Sequence, residues 1–326
     1  MDLLLRLLSL FFRGTALMLG VVGAGFAIAC LGGAFSDKLD ALTHLTPLWL
    51  AMGACAAVLG WIFARKGERW TMVGLGGAAI LACAILMGPE LLAASGAKRL
   101  AARPDDLKII QFNIWHENYT PDKALRWLVE QDADVVLIEE GDDRSWPVIM
   151  ALRAYYPFFV SCDGKRGCAT WIFSKKRMLA RNGFYPEGRE LAGAWATLAD
   201  PKGEFTVVGI HYVWPIPAGP QQQQSKRLVD AVARFDKSDL ILTGDFNSTP
   251  WSFSLKRQDK ALGLPRRTRA LPSWPSGKFS RLANAPVPFL PIDHVYAGKA
   301  WKTVSVTRGP ALGSDHRPVI VRLRRD

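Results

Sequence analysis

Three stretches without a single charged residue, at positions 14–35, 41–64 and 70–89, fall within the first third of this 326-residue chain. Each reaches the ~20 residues that a helix rising 1.5 Å per residue needs to cross ~30 Å of hydrocarbon. Small residues recur along all three (Gly20, Gly23, Gly53, Ala57, Gly60, Gly74 and Ala78), as where membrane helices approach closely. Residues 1–103 are therefore read as a membrane region of three transmembrane helices, with the lipid bilayer as partner. A cleavable signal peptide fits poorly, because the apolar run begins before Arg13 and continues far beyond it.

Positive charges set the expected orientation. With the N-terminus inside, Arg6, Arg13, Arg65, Lys66 and Arg69 face the cytoplasm, and Lys38, Lys98, Arg99 and Arg103 lie outside. This five-to-four bias favours a multi-pass protein of the inner (plasma) membrane with residues 104–326 outside the cytoplasm. Cysteine use fits that reading. Cys30, Cys55 and Cys83 fall inside the spans, and Cys162 and Cys168 bracket a turn-rich loop that a disulfide could close in an oxidising compartment.

From Arg103-Pro104-Asp105 onward the composition changes to 32 basic and 24 acidic residues over 223 positions, enough for one domain with a substantial core. Runs rich in Val, Ile, Phe and Thr predict strands at 108–114, 134–138, 169–174, 194–198, 205–212, 239–243, 294–296, 303–307 and 317–323. Helices are expected from Thr120-Pro121, where Pro suits the first helical turn, and over 222–235. Many strands and few helices make this an α+β domain.

Polar residues gather where these strands end. Asn113, Glu139-Glu140, His211, Gly244-Asp245-Phe246-Asn247, Asp293-His294 and Ser314-Asp315-His316 occur in that order. Each has a bland explanation by itself, as a cap, a solvated strand end, a core histidine or an Asx turn. The ordered set carries more weight. It resembles the endonuclease/exonuclease/phosphatase superfamily over about residues 108–323, and the added membrane region is similar to that of bacterial membrane-anchored members.

That resemblance implies a four-layered α/β sandwich and hydrolysis of a phosphate ester, with Mg²⁺ as the usual cofactor and Mn²⁺ as a substitute. It implies metal ligation by Glu140, with Asn113 and Asp315 near the same ion. His316, paired with Asp293, would act on the attacking water, and Asp245 and Asn247 would contact the phosphate or its nucleophile. His211 would bind phosphate or serve as leaving-group acid, although no acidic partner for it can be placed. The family commonly has Gln before the metal carboxylate where this chain has Glu139. Neighbouring side chains on a strand point to opposite faces, so only one of Glu139 and Glu140 should reach the metal. The residue types suit the chemistry: Mg²⁺ prefers hard oxygen ligands, and a histidine titrating near neutrality can exchange a proton.

Between Asn247 and Asp293 lies a basic stretch with interleaved aromatics, including Lys256, Arg257, Arg266, Arg267, Arg269 and Trp274. Its prolines predict a loop near the site. Arg266, Arg267, Arg269 and Trp274 are the candidate substrate-binding residues, because basic and aromatic side chains together hold phosphates and stack bases. The expected function is thus a membrane-anchored phosphodiesterase, foremost a nuclease. A phospholipid or small phosphorylated substrate, and a non-catalytic scaffold of the same fold, are the alternatives.

Overall fold

A computed structural model describes residues 2–96, 100–162, 169–188, 190–278, 284–285 and 287–325. The chain forms two compact units. One is Met1–Ser95 together with Thr249–Lys256, and the other is Gly96–Ser248 together with Arg257–Asp326. The sequence boundary near residue 103 is therefore crossed by one short segment, which leaves the second unit and joins the first.

The first unit contains α1 (Asp2–Leu31), α2 (Asp37–Thr43), α3 (Thr46–Phe63) and α4 (Lys66–Ser95). Three helices are long and apolar enough to cross a membrane. Helix α1 starts a dozen residues before the expected window, because the apolar Leu- and Phe-rich run ahead of Arg13 continues the same helix. The second expected window is divided in two: α2 ends at Thr43, and α3 begins afresh at Thr46 with Pro47 in its first turn. Helices α3 and α4 meet backbone to backbone where a Cβ on Gly76 would lie 2.5 Å from the Gly53 carbonyl oxygen.

Among the described residues the second unit holds two large sheets and a two-stranded one, β9 (Gly277–Lys278) with β10 (Asn284–Ala285). The first runs in the order β12 (Trp301–Arg308), β13 (Val319–Arg325), β1 (Leu107–Asn113), β2 (Val135–Glu139), β4 (Trp171–Ser174), β3 (Phe158–Ser161). The second runs β11 (Asp293–Ala297), β8 (Ile241–Asp245), β7 (Phe205–His211), β6 (Gly193–Leu198), β5 (Met178–Gly183). Apolar residues from both sheets, among them Ile109, Leu137, Ile172, Ala196, Val207, Ile241 and Val321, form one buried core. Alternate residues of the first sheet (Ile110, Phe112, Val136, Ile138) pack with Leu128 of α5 (Pro121–Glu130) and Ile149 of α6 (Trp146–Leu152). On the second sheet, Ala194 and Ala196 face the shared core, while Trp195 points outward to Phe235, which follows α7 (Ala218–Val232). The period of two thus yields helix, sheet, sheet, helix, as the four-layered expectation required.

All nine predicted strands are present within a few residues of their expected ends. β3, β5 and α6 were not anticipated. Nor was α8 (Phe253–Leu262), which occupies the start of the stretch read as loop. Pro250 precedes the helix and the next proline is Pro265, so nothing breaks the helix between them. Cys162 is buried, and Cys168 lies outside the described residues.

Candidate active site

Each of the two large sheets contains one parallel pair, and the site forms at the C-terminal ends of both. Asn113 ends β1 in register with Glu139 of β2, and His211 ends β7 in register with Asp245 of β8. Antiparallel β11 then sets Asp293 directly across from Asp245. Like charges facing each other across a sheet are unfavourable unless something positive is shared between them. That group is His316. Its Nδ1 lies 2.8 Å from Asp293 Oδ2, and its Nε2 lies 3.6 Å from Asp245 Oδ2.

His316 arrives from the loop before β13. Ser314 anchors that loop by donating its hydroxyl to the Asn113 carbonyl at 2.7 Å and accepting the His316 N–H at 2.9 Å. Burial alone would lower the His316 pKa, but the Asp293, Asp245 and Asp315 carboxylates hold it well above the usual value. Burial works the other way on Asp293, and the His316 imidazolium with its hydrogen bond keeps that carboxyl below its normal range. Asp245 is pushed up to about 6, first by burial. The three groups form a buried acid–base cluster whose ligand atoms lie within 4.8 Å of one another.

The Gly-Asp-Phe-Asn turn is built from unusual backbone. A Cβ on Gly244 would lie 1.8 Å from the Ile210 carbonyl oxygen, so β7 and β8 can pair this closely only with glycine there. Asn247 has φ +48, a left-handed conformation that Asn tolerates better than most residues. Its N–H is accepted by Asp245 Oδ1 at 2.8 Å, and its side-chain amide donates to the Tyr212 carbonyl.

Glu140 also has a positive φ, +53, a conformation costing on the order of 1–3 kcal/mol in a residue of this type. This turn corrects the expectation of opposite faces. β2 ends at Glu139, so the strand rule no longer governs its neighbour, and both carboxylates reach the site. Glu139 is fully buried and accepts from Gln111 Nε2, which also donates to Asp293 Oδ1 at 2.6 Å. Burial, then Asp293 and Asp245, raise the Glu139 pKa well above normal, which favours its neutral form. Glu140 sits at the mouth. Asn113 Nδ2 donates to it at 2.9 Å, His116 Nδ1 lies 2.8 Å away, and His211 Nε2 lies 3.7 Å away. Burial would raise its pKa, but His211 and those hydrogen bonds draw it down to about 2.

Asn113 enters the site as a donor, bridging Glu140 and Asp245, while its Oδ1 accepts the Trp115 N–H. His211 Nε2 is 3.7 Å from both Glu140 and Asp245, which are the acidic neighbours that the sequence did not reveal. Asp315 accepts from Trp274 Nε1 at 3.1 Å, and its Oδ1 is buried without a hydrogen-bond partner among the described residues. Burial raises the Asp315 pKa, and Glu140 adds to the rise. Two carboxylates that repel each other, one with an oxygen left unsatisfied, suit a divalent cation with a preference for hard oxygen ligands.

The basic stretch is used differently from the expectation. Arg266 is buried, pairs with Asp259 and donates to the Thr268 carbonyl. Arg267 donates to the carbonyls of Ala297, Gly298 and Trp301. Both guanidinium groups hold the fold together and are not available to a substrate without breaking it. Arg269 is partly buried, and Trp274 is at the site beside Asp315. Sequence reasoning missed Gln111 and His116. Gln111 was within reach, because it shares a strand face with Asn113 two residues on. His116 follows a loop residue at φ +61, Trp115, and no periodicity points to it.

The family model for the endonuclease/exonuclease/phosphatase family matches residues 110–316. None of the curated proteins matches the chain. Among solved structures, the chain is similar to the endonuclease/exonuclease/phosphatase from Bacteroides vulgatus, at 18% identity and TM-score 0.53, covering 68% of this chain and 99% of that one. It is also similar to the protein of that family from Beutenbergia cavernae, at 20% identity and TM-score 0.50, covering 68% of this chain and 72% of that one. Beta toxin from Staphylococcus aureus, solved with bound magnesium ions, matches at 15% identity and TM-score 0.50 over 67% of this chain and 99% of its own. With the matched residues spanning well over half its length, the chain belongs to the endonuclease/exonuclease/phosphatase family, whose members are usually divalent-metal-dependent hydrolases of phosphate esters.

Proposed function

We propose that this protein is a membrane-anchored, Mg²⁺- or Mn²⁺-dependent phosphodiesterase acting outside the cytoplasm. The observation that carries the reading is the convergence of Glu140, Asp245, Asn247, Asp293, His211 and His316 at the ends of two parallel strand pairs. A cation held by Glu140 and Asp315 would neutralise charge on the phosphoryl oxygens. Asp293 holds the His316 ring by its Nδ1, which leaves Nε2, beside Asp245, to exchange a proton with the attacking water. Asn247 supports Asp245 through its N–H, and His211 is the remaining group able to meet a phosphoryl or leaving oxygen.

For substrate class, the nuclease expectation loses two of its cationic contacts to the interior. A phospholipid substrate is favoured by a different observation. The residues after β7 present Val213, Trp214 and Ile216 to solvent, and Trp214 lies edge-on to Trp274, 5.7 Å between centroids, which in turn bonds Asp315. An apolar, aromatic rim at the site suits a substrate drawn from a lipid surface. The test uses the full-length protein in detergent, wild type and His316→Ala, with divalent metal. Phospholipid vesicles, single- and double-stranded DNA, and RNA are assayed in parallel. Metal- and His316-dependent turnover of lipid alone supports this reading, turnover of nucleic acid alone returns the substrate to the nuclease class, and no turnover of any phosphodiester overturns it. A C-terminal reporter that fluoresces only in the cytoplasm tests orientation: strong fluorescence would refute the extracytoplasmic assignment.

A further inference from the structure

The segment Thr249–Lys256 begins two residues after Asn247, yet it belongs to the compact unit of the membrane helices. Within that unit it is held by buried polar groups. Asp40 of α2 is 3% exposed and accepts the N–H of Phe253 at one carboxylate oxygen and that of Ser254 at the other, both at 2.7 Å. These are the first two residues of α8, whose opening N–H groups have no partner inside the helix. Ser252 covers the next one, accepting from Leu255. Asp40 therefore caps α8 from more than 200 residues away, and a carboxylate at a helix N-terminus also opposes the helix dipole favourably.

His44 repeats the pattern one turn along. It is 9% exposed, and its Nδ1 accepts the Thr249 N–H at 3.2 Å. Trp251 donates its indole N–H to the Thr43 carbonyl at 2.8 Å. The close approach is permitted by Gly33, where a Cβ would lie 2.8 Å from the Phe253 ring and 2.9 Å from Asp40 Cα. Two of these acceptors, Asp40 and His44, are polar residues that a membrane region could otherwise dispense with.

We propose that Asp40 and His44 are positioning residues for the catalytic Asp245-Phe246-Asn247 turn, acting through the covalent link of Ser248 to the segment they hold. Asn247 sits at φ +48, a conformation that persists only when its surroundings enforce it. On the N-terminal side the turn is fixed by β8. On the C-terminal side Gln221 and His294 hold Ser248, and the next residue, Thr249, has its N–H bonded to His44. The membrane helices thus do more than tether: they supply the anchor point of a catalytic loop.

The activity arm of the test rests on the phosphodiesterase reading, so it is paired with one that does not. Full-length protein in detergent is compared as wild type, Asp40→Ala, Asp40→Asn, His44→Ala and His44→Asn. Amide hydrogen exchange across residues 244–255 is expected to quicken at least ten-fold in both alanine variants, and to be largely restored in the Asn variants, which keep an acceptor. Turnover of bis(p-nitrophenyl) phosphate is expected to fall about ten-fold in kcat for the alanine variants with KM nearly unchanged. Exchange at 244–249 as slow as in wild type, in a folded alanine variant of either residue, overturns the proposal whatever the enzyme does. Loss of kcat with unaltered exchange there overturns it equally. Should Asp40→Ala fail to fold, the His44 pair decides. If wild type itself turns over no phosphodiester while the exchange result holds, the functional reading fails and the positioning role stands.

Discussion

Replacing Asp293 by Asn tests the acid–base pair at its most exposed assumption, that the carboxylate acts through His316. The two side chains are 0% and 5% exposed, with Oδ2 and Nδ1 2.8 Å apart. At that distance, with an effective dielectric near 20, the bare attraction is about 6 kcal/mol, most of it spent against desolvation. A hydrogen bond to a charged group keeps ~1.5–3 kcal/mol of this. With 1.36 kcal/mol per decade of rate, Asp293→Asn should lower kcat by about 10–150-fold. KM should change little, because neither group needs to grip the ground-state substrate. The Asn amide is nearly isosteric, but with its oxygen accepting from Gln111 its NH2 faces His316 Nδ1, so the ring loses both the charge and the acceptor that orient it. The assay is steady-state turnover of bis(p-nitrophenyl) phosphate by full-length protein in detergent with saturating divalent metal. His316→Ala alone should cost about 10²–10⁴-fold, and adding Asp293→Asn to it should cost almost nothing more, since the carboxylate then has no ring to orient. Additive losses in the double variant would refute the reasoning, as would a single-variant kcat within three-fold of wild type.

Glu140→Gln should abolish turnover, whereas Glu139→Gln should leave kcat within about three-fold, because an amide replaces a fully buried carboxyl whose neutral form burial already favours, while the Glu140 pKa is drawn down; equal losses in the two would show that their roles had been misassigned. Chelation of divalent metal should remove activity reversibly, with Mg²⁺ or Mn²⁺ restoring it; metal-independent turnover would count against Glu140 and Asp315 as ligands. Asp106→Asn breaks a buried two-bond pair with Arg324 (2.6 and 2.9 Å) and should cost roughly 3–5 kcal/mol, about 6–20 °C in Tm for a domain of this size. The hydrogen bond from Arg324 holds the Asp106 pKa below its ordinary 3.8, so its contribution is present above that value and is lost as pH falls through the depressed folded one. The Tm gap between wild type and variant should accordingly be full at pH 7 and close in strong acid; a gap that widened on acidification would reverse the assigned sign.

Strands and most site residues were legible because both depend on local order. The β-rich run Ile109-Ile110-Gln111-Phe112 marks a strand, buried on both faces in the fold, and the motif residues stand at its end and at the ends of its counterparts. What stayed hidden depends on long-range pairing or on single dihedral angles. The strand rule for Glu139 and Glu140 failed because β2 stops between them, and one left-handed residue swings the second carboxylate into the site. Arg266 and Arg267 read as an exposed basic pair, but Asp259 and the carbonyls of Ala297, Gly298 and Trp301 draw them inward. Such partners lie up to 34 positions away, beyond any periodicity. Asp40, one of two acidic residues between the first two apolar runs, gave no hint that it caps a helix more than 200 residues later.

The pairing of Asn113 with Glu139, of His211 with Asp245, and of Asp245 with Asp293 has a consequence for folding fidelity. A strand that slips by one residue turns every side chain to the opposite face. Slippage of β8 would exchange Asp245 for Gly244 or Phe246 beside His316, with the sheet itself still largely hydrogen-bonded. The candidate site is therefore a reporter of registry: a misregistered population would pass as folded by its secondary structure, and the loss of the His316 contacts with Asp293 and Asp245 would expose it.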